Sequence, residues 1–310
     1  MNIVITGGSG FVGSYLCEKL INDGHEIIVI DNLLTGSTEN IKNLMDNENF
    51  SFVEHDVQDH IEIENKVDYV LHFASAASPK AYTEHPVNTL KAGSVGTINT
   101  LGLAKKHNAE YLLASTSEVY GDPLISPQTE EYWGNVNPNG ERSMYDEAKR
   151  FAEATVSSYN RIYDLDTRIL RLFNTYGPKM KINDGRVVTN FISQAITGND
   201  ITIYGQGNQT RSFCYIDDTV SGILKAMESD KSEVFNIGNP NEITIFQLAE
   251  KVIELTNSNS EIKFVELPED DPMQRKPDIS KANKKLNWFP KVSLEDGLKK
   301  TIEWVENSID

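Results

Sequence analysis

The fold of this chain is decided near its start, where Asn2-Ile3-Val4-Ile5-Thr6 runs into Gly7-Gly8-Ser9-Gly10-Phe11-Val12-Gly13. The short apolar run predicts a buried strand, and apolar side chains at helical spacing follow over residues 14–22. Glycines in the turn let backbone N–H groups approach a phosphate, which the positive end of the following helix also favours. The stretch therefore predicts a dinucleotide site, in which we expect contacts from Gly7, Gly10, Phe11, Val12 and Gly13.

The second apolar run, residues 26–30, supports this interpretation because it ends in Asp31, eighteen residues after Gly13. A carboxylate in this place accepts hydrogen bonds from the hydroxyls of an adenosine ribose and repels a 2′-phosphate. We therefore expect NAD as the cofactor in preference to NADP. The alternative is a strand-end turn that binds nothing, since three spaced glycines alone are a weak signal.

Composition narrows the class of protein. With 310 residues and 39% hydrophobic content the chain can bury a large core, and its formal charge of −17 argues against non-specific binding to nucleic acid or anionic membranes. The two cysteines, Cys17 and Cys214, form no C-x-x-C pair, and the six histidines lack metal-ligand spacing. We therefore expect a cytoplasmic protein without a disulfide framework, a metal site or a membrane span.

Strands and helices alternate up to about Phe173, which predicts a doubly wound, parallel Rossmann sheet of the α/β class. Beyond Phe173 the alternation becomes irregular, which indicates a smaller α/β lobe. We expect an NAD-binding domain over residues 1–173 and a mainly substrate-binding lobe over residues 174–310, with some segments returning to the sheet. Further strands are expected at 52–55, 69–73, 111–114, 168–172, 201–205 and 209–213, and helices at 87–107, 145–163, 186–197, 217–228, 245–256 and 293–307.

Two polar segments near the expected cofactor site can carry chemistry. Thr116-Ser117-Glu118 follows the fifth strand, and Tyr145 and Lys149 are spaced so that they share one helix face. A phenol with an ordinary pKa of about 10 acts as a base near pH 7 only with roughly 4 kcal/mol of help. A cation about 4 Å away at an effective dielectric near 20 supplies about that much. We therefore expect Lys149 to lower the pKa of Tyr145, which takes a proton from a substrate hydroxyl while Thr116 holds the same oxygen.

Further motifs carry a resemblance to a known family. They are Ala114-Ser115-Thr116-Ser117-Glu118-Val119-Tyr120-Gly121-Asp122-Pro123, Asn174-Thr175-Tyr176-Gly177-Pro178, Asn183-Asp184-Gly185-Arg186-Val187-Val188, Gln209-Thr210-Arg211 and Arg275-Lys276-Pro277-Asp278. On these motifs the chain resembles the extended short-chain dehydrogenase/reductases that act on nucleotide sugars. The resemblance extends over nearly the whole chain. The resemblance implies that tightly held NAD oxidises C4 of the sugar. It is greatest to members that convert UDP-glucuronate to UDP-xylose with loss of CO2.

The residue after Thr116 distinguishes between reactions of this family. The related 4,6-dehydratases carry an aspartate there, which protonates a departing hydroxide, whereas this chain has Ser117. Serine is too weak an acid for that task, but loss of CO2 from a β-keto acid needs no leaving-group acid. The resemblance implies that Ser117, Glu118 and Arg275 surround the substrate carboxylate, and it leaves their individual roles open.

The resemblance also implies the remaining contacts and a homodimer, since the helices after Val87 and Tyr145 resemble those that pair in this family. The expected cofactor contacts add Asn32, Thr35, Gly36, Asp56, Val57, Phe73, Ser75, Ala114, Tyr145, Lys149, Thr175 and Arg186. The expected substrate contacts are Lys91, Asn99, Ser117, Glu118, Asn174, Val188, Tyr204, Arg211 and Arg275.

Two alternatives stay open from the sequence. A nucleotide-sugar 4-epimerase or 4,6-dehydratase would share the cofactor site and the Tyr145/Lys149 pair. A non-catalytic redox sensor that binds NAD belongs to another class of protein, and such proteins typically lack that pair.

Overall fold

The computed structural model describes residues 1–182, 184–230, 232–267 and 272–309. Asn183, which belongs to one of the family motifs, and the first part of the charged loop before Arg275, residues 268–271, lie outside the described residues.

The strands lie close to their predicted places in the first half of the chain. They are β1 (Asn2–Thr6), β2 (Glu26–Asp31), β3 (Phe50–Glu54), β4 (Tyr69–His72), β5 (Glu110–Thr116), β6 (Thr167–Leu172), β7 (Thr175–Tyr176), β8 (Ile201–Tyr204), β9 (Thr210–Ser212), β10 (Cys214–Tyr215), β11 (Glu233–Ile237), β12 (Glu242–Thr244), β13 (Ile262–Val265) and β14 (Gln274–Arg275).

The helices connect these strands and cover the sheet. They are α1 (Phe11–Asn22), α2 (Pro79–Glu84), α3 (Pro86–Lys91), α4 (Thr97–His107), α5 (Ser143–Tyr163), α6 (Val187–Ile196), α7 (Ile216–Met227), α8 (Ile245–Thr256), α9 (Ser280–Leu286) and α10 (Leu294–Ile309). Within the described ranges, none of these helices is long and apolar enough to cross a membrane.

One parallel sheet organises the molecule, with the strand order β11-β6-β5-β4-β1-β2-β3. This order confirms the doubly wound Rossmann fold, because the sheet grows in opposite directions from β1 and β4. Strand β11 comes from the second half of the chain and pairs in parallel with β6. In folds of this kind ligands bind where the strand order reverses, at the carboxyl edge of the sheet.

The apolar run of β1 has both faces covered. Ile3 and Ile5 pack into one core cluster with residues of α1, whereas Val4 packs into a second cluster with residues of α4, and all three are fully buried. Parallel sheets need such cover on both sides, because their strands are apolar throughout. The fully buried β1 fixes the position of the glycine-rich turn that follows it.

The predicted long helix over residues 87–107 is interrupted. Helices α3 and α4 are joined by a π-helical turn at Ala92–Gly96. A side chain at Gly93 would place its Cβ 2.7 Å from the Cβ of Ala148 in α5, and one at Gly96 would lie 2.7 Å from Val57. Gly93 therefore lets this turn approach the helix that carries the predicted catalytic residues, and Gly96 lets it approach the loop after β3.

The described residues of the smaller lobe combine three short sheets with helices, and one of these sheets pairs β7 with β10. Strand β13 pairs with β8, and β9 lies between β12 and β14. The pairing of β14 with β9 places Arg275 beside Arg211 in register, so two predicted substrate residues meet on neighbouring strands.

Candidate active site

A cleft of about 1030 Å³ lies between the carboxyl edge of the sheet and the smaller lobe. Two predicted site residues, Lys91 and Asn99, do not line it. The others line it: Gly7, Gly10, Phe11, Val12, Gly13, Asp31, Asn32, Thr35, Gly36, Asp56, Val57, Phe73, Ser75, Ala114, Thr116, Ser117, Glu118, Tyr145, Lys149, Asn174, Thr175, Arg186, Val188, Tyr204, Arg211 and Arg275.

The glycine-rich turn has the shape that a pyrophosphate needs. Gly7 has a φ of 74°, and a Cβ there would lie 2.7 Å from the backbone nitrogen of Ala74. A Cβ at Gly13 would lie 2.3 Å from the Gly7 carbonyl oxygen. Helix α1 begins at Phe11 without a side-chain cap, so its first N–H groups face the cleft as an anion site.

Asp31 stands at the end of β2 where an adenosine ribose would lie. Its Oδ2 accepts a hydrogen bond from the Ser9 N–H at 3.1 Å, and its Oδ1 accepts one from the Leu33 N–H at 2.9 Å. Each carboxylate oxygen has further lone pairs for the hydroxyls of a ribose. The turn and this carboxylate together fit NAD.

Asp56 lies beside this carboxylate on the next loop. Its side chain accepts hydrogen bonds from the amide of Asn32 at 2.8 Å and from the backbone N–H of Gln58 at 2.9 Å. These bonds tie the ends of β2 and β3 together at the part of the cleft where we expect adenine.

Tyr145 and Lys149 lie on the first turns of α5, and both are buried. The Lys149 ammonium donates a hydrogen bond to the carbonyl of Ala114 at 2.9 Å and lies 5.9 Å from the centre of the Tyr145 ring. Thr116 lies close enough to the Tyr145 hydroxyl to lower the pKa of that hydroxyl. The structure therefore brings the predicted base, its lysine and Thr116 to one point of the cleft.

The expected effect of Lys149 on Tyr145 is corrected by this geometry. Burial raises the pKa of Tyr145, the bond from Thr116 lowers it, and the negative charges of Glu118 and Asp146 raise it further. Burial also lowers the pKa of Lys149 to about 8. The ammonium donates to the Ala114 carbonyl, and it is not among the groups that shift the pKa of Tyr145 most.

Glu118 is the centre of an ion cluster beside Tyr145. Its Oε1 accepts a hydrogen bond from Arg275 at 2.7 Å, and its Oε2 accepts one from Arg142 at 2.5 Å. Arg275, which is 1% exposed, also donates to the Ser117 hydroxyl at 2.9 Å. Burial favours the neutral acid, but the two arginines outweigh it and lower the pKa of Glu118 to about 2. Glu118 is therefore ionised at neutral pH.

Three further residues of this cluster were missed in the sequence. Arg142 lies at the N-terminus of α5, and its guanidinium lies 5.7 Å from the centre of the Tyr82 ring. The Tyr82 ring stacks on that of Tyr145 at 5.3 Å between centres. Asp146 is buried directly after Tyr145. Arg142 precedes the motif formed by Tyr145 and Lys149, and Asp146 lies inside it, whereas no motif marks Tyr82.

Two predicted substrate contacts, Lys91 and Asn99, lie outside the lining of the cleft. Lys91 is exposed at the end of α3. The Asn99 amide donates hydrogen bonds to the carbonyls of Val57, Gln58 and Asp59 at 2.9, 3.1 and 3.0 Å. Asn99 therefore holds the loop after β3, and helical spacing alone could not show which way either side chain points.

The arginines of the smaller lobe differ in how they are held. Arg186 donates from Nε to Asp184 at 2.8 Å, and its guanidinium lies 5.7 Å from the centre of the Phe11 ring. Arg211 donates to the Thr210 carbonyl at 2.9 Å. Tyr204 is 51% exposed on the cleft side of β8. These side chains surround the part of the cleft where we expect the nucleotide.

Comparison with known proteins identifies the family. The family described as GDP-mannose 4,6 dehydratase matches residues 4–301. The chain belongs to this family of extended short-chain dehydrogenase/reductases. Members among its relatives include UDP-glucuronic acid decarboxylase 6 of Arabidopsis thaliana, 53% identical over 299 residues, which are 96% of this chain and 87% of the relative. UDP-glucuronic acid decarboxylase 1 of Xenopus tropicalis is 50% identical over 308 residues, 99% of this chain and 73% of the relative.

Solved structures share the family fold over the whole chain. UDP-glucose 4-epimerase of Thermotoga maritima, solved with UDP-glucose, is 33% identical with a TM-score of 0.93 and covers 100% of both chains. UDP-glucuronic acid 4-epimerase of Bacillus cereus, solved with UDP-glucuronic acid and NAD, is 27% identical with a TM-score of 0.89. That match covers 99% of this chain and 100% of the epimerase.

Proposed function

We propose that this protein is an NAD-dependent enzyme that converts UDP-glucuronate to UDP-xylose and CO2. The observation that carries the proposal is the contact of buried Arg275 with both Ser117 and Glu118, beside the Tyr145 hydroxyl. This arrangement offers a cationic, hydrogen-bonding place for a sugar carboxylate where a dehydratase carries an acid. The decarboxylases at about half identity over nearly the full chain support the same reaction.

Different residues of the cleft hold the cofactor and act on the C4 hydroxyl of the sugar. When bound, NAD supplies the oxidation of C4 and the later reduction of the ketone. Tyr145 takes the proton of the C4 hydroxyl, and Thr116 holds the same oxygen. Because burial raises the pKa of Tyr145, this step needs the positive charge of the nicotinamide ring, which would favour the ionised phenol when NAD is bound. The positive end of α1 and the carboxylate of Asp31 would hold the cofactor in the cleft that Tyr145 also lines.

Oxidation at C4 makes the uronate a β-keto acid. The C5–C6 bond then breaks, CO2 leaves, and the electron pair moves into an enolate whose oxygen is the former C4 oxygen. Tyr145 and Thr116 donate hydrogen bonds to that oxygen as its charge develops. Ser117 cannot protonate a departing hydroxide, so the cluster favours loss of CO2 over loss of water.

Incubation of the purified enzyme with UDP-glucuronate tests the proposal. We expect CO2 and UDP-xylose in equal amounts, with no net reduction of NAD, and no product from UDP-glucose. Formation of UDP-galacturonate without CO2 would instead show a 4-epimerase. Bound NAD without turnover of any nucleotide sugar would show the non-catalytic sensor.

We further propose that the enzyme is a homodimer and works in the cytoplasm. Apolar side chains are exposed along α3, the π turn and α4 at Val87, Leu90, Val95 and Ile98, and on α5 at Phe151. Covering such a surface favours association of two copies. Both cysteines are free, which fits a reducing compartment. Light scattering should give twice the mass of one chain, and Ile98→Asp should reduce the measured mass to that of one chain.

A further inference from the structure

Gln128 is a buried polar residue in the loop between β5 and α5. It is fully buried, whereas residues 124–127, directly before it, are exposed. Its Nε2 donates a hydrogen bond to the Ile125 carbonyl at 2.7 Å, and its Oε1 accepts one from the Lys276 N–H at 2.8 Å. Burial of a carboxamide is costly unless both of its ends are paired in this way. Gln128 therefore links this loop to the segment that carries Arg275.

The backbone of Gln128 binds the same segment. The Gln128 N–H donates to the Lys276 carbonyl at 2.8 Å, and the Gln128 carbonyl accepts from the Asp278 N–H at 2.8 Å. Both backbone polar groups of Lys276 are thus bonded to one residue. Strand β14 consists of only two residues, so its pairing with β9 offers few hydrogen bonds. Gln128 holds the chain directly after this short strand.

Asn236 connects Gln128 to the central sheet. It is fully buried on β11, and its Nδ2 donates to the carbonyls of Gln128 at 2.9 Å and Asp278 at 3.1 Å. Its Oδ1 accepts a hydrogen bond from the hydroxyl of Tyr120, which is also fully buried, at 2.7 Å. Buried polar networks with paired members are rigid. The sheet therefore fixes Gln128, and Gln128 can fix the segment that it binds.

The peptide bond between Arg275 and Lys276 is held from both sides by buried residues. Its N–H donates to Oε1 of Gln128, and its carbonyl, that of Arg275, accepts from the hydroxyl of Ser212 at 3.3 Å. Ser212 is fully buried on β9. Because a peptide is planar, two bonds to its polar groups fix its plane. Together with the pairing of β14, this plane sets the direction in which the Arg275 side chain leaves the backbone.

The guanidinium of Arg275 has one donor left for a ligand. Its Nη1 donates to Ser117 and Glu118, and its Nη2 donates to the Gly121 carbonyl at 3.0 Å. Its Nε is buried and has no hydrogen-bond partner among the described residues. Arg275 lines the cleft, and a carboxylate is the acceptor that a guanidinium binds best. A small rotation of the backbone at Arg275 would move this donor relative to a bound sugar.

We propose, on the basis of the decarboxylase function above, that Gln128 is a positioning residue for recognition of the substrate carboxylate. Its side chain fixes the peptide after Arg275 and thereby directs the guanidinium to the place of that carboxylate. Gln128 is not among the residues that line the cleft, so it acts through Arg275 alone. Loss of its side-chain amide should weaken binding of the carboxylate and leave binding of the nucleotide unchanged.

Gln128→Met tests this role because methionine is similar in size and makes neither side-chain hydrogen bond. Binding is measured by calorimetry in the Tyr145→Phe background, where we expect no oxidation of the sugar. UDP-glucose is the control ligand, since it has a hydroxymethyl group in place of the carboxylate. In Gln128→Met we expect the Kd of UDP-glucuronate to rise about tenfold and that of UDP-glucose to change by less than about twofold.

Tyr132→Phe is the matched control variant. It removes the hydroxyl that accepts a hydrogen bond from the Leu124 N–H at 3.1 Å in the same loop, and it does not touch Lys276. We expect both Kd values to stay within about twofold of those of the parent protein.

Ser212→Ala tests the same peptide from its other side and serves if Gln128→Met does not fold. It removes a single hydroxyl, so we expect the Kd of UDP-glucuronate to rise about threefold while that of UDP-glucose stays unchanged. An equal rise for both ligands would show that Gln128 only stabilises the fold. An unchanged Kd of UDP-glucuronate would show that Arg275 is held without it, and either result would overturn the role of Gln128.

The same measurements separate this role from the proposed function. They record binding without turnover, so a selective loss of UDP-glucuronate binding in Gln128→Met supports the positioning role whatever reaction follows. Absence of CO2 release by the wild type would instead count against the decarboxylase function.

Discussion

Replacing Arg275 with methionine tests how the ion cluster is held together. Arg275 is 1% exposed and donates to Glu118 at 2.7 Å, to Ser117 at 2.9 Å and to the Gly121 carbonyl at 3.0 Å. Removing one partner of a buried ion pair costs about 3–5 kcal/mol, because the other charge stays buried. Since Arg142 still binds Glu118, we expect the free energy of unfolding to fall by the lower figure, about 3 kcal/mol.

Urea denaturation of the variant measures this loss against a matched control. Lys276→Met removes the next cation along the chain. Lys276 forms an ion pair with Glu242 at 3.1 Å, and its side chain is 33% exposed. That pair should contribute no more than about 1 kcal/mol. Combining Arg275→Met with Glu118→Gln should also reveal a coupling of at least about 1.5 kcal/mol between the two side chains. A loss below about 1 kcal/mol together with additive effects would refute the reasoning.

Three other perturbations address separate parts of the account. Glu118→Gln should lower the free energy of unfolding by about 3 kcal/mol above pH 4.5. This loss should shrink as pH falls towards 2, because the pKa of Glu118 in the folded protein lies below its ordinary value. Urea titrations at several pH values measure the loss, and a loss that does not change with pH would contradict the prediction. Gly93→Val should cost roughly 1–3 kcal/mol, since its side chain would meet Ala148; an unchanged thermal midpoint would contradict the close approach. Asp31→Ala should weaken NAD binding about tenfold by fluorescence titration, and equal affinity would count against the ribose contact.

The parts of the fold that depend on local patterns could be predicted. The fully apolar β1, the glycine-rich turn and the acidic end of β2 each carry their own signal, so the dinucleotide half followed from the sequence. We expected some segments after residue 173 to return to the sheet, but no local pattern identified β11 as such a segment, because its place depends on pairing with β6 across a long chain separation. The interruption between α3 and α4 is likewise set by contact with Ala148.

The candidate site could also be predicted from the sequence only in part. Ser117, Glu118 and Arg275 could be grouped from motifs, and the structure joins them by hydrogen bonds. The pKa of Tyr145 could not be predicted, because burial and the nearby carboxylates outweigh a lysine that is bound to a carbonyl. Asn99 shows that a polar residue on a helix facing the site can belong to the scaffold.

In the proposed reaction C4 of the sugar is oxidised before CO2 leaves and is reduced again afterwards. The most direct measurement uses UDP-glucuronate labelled with deuterium at C4, with the products followed by NMR and mass spectrometry. We expect CO2 release, with the label returned to C4 of UDP-xylose. Release of CO2 with no label at C4 would contradict it, as would a normal rate in Tyr145→Phe.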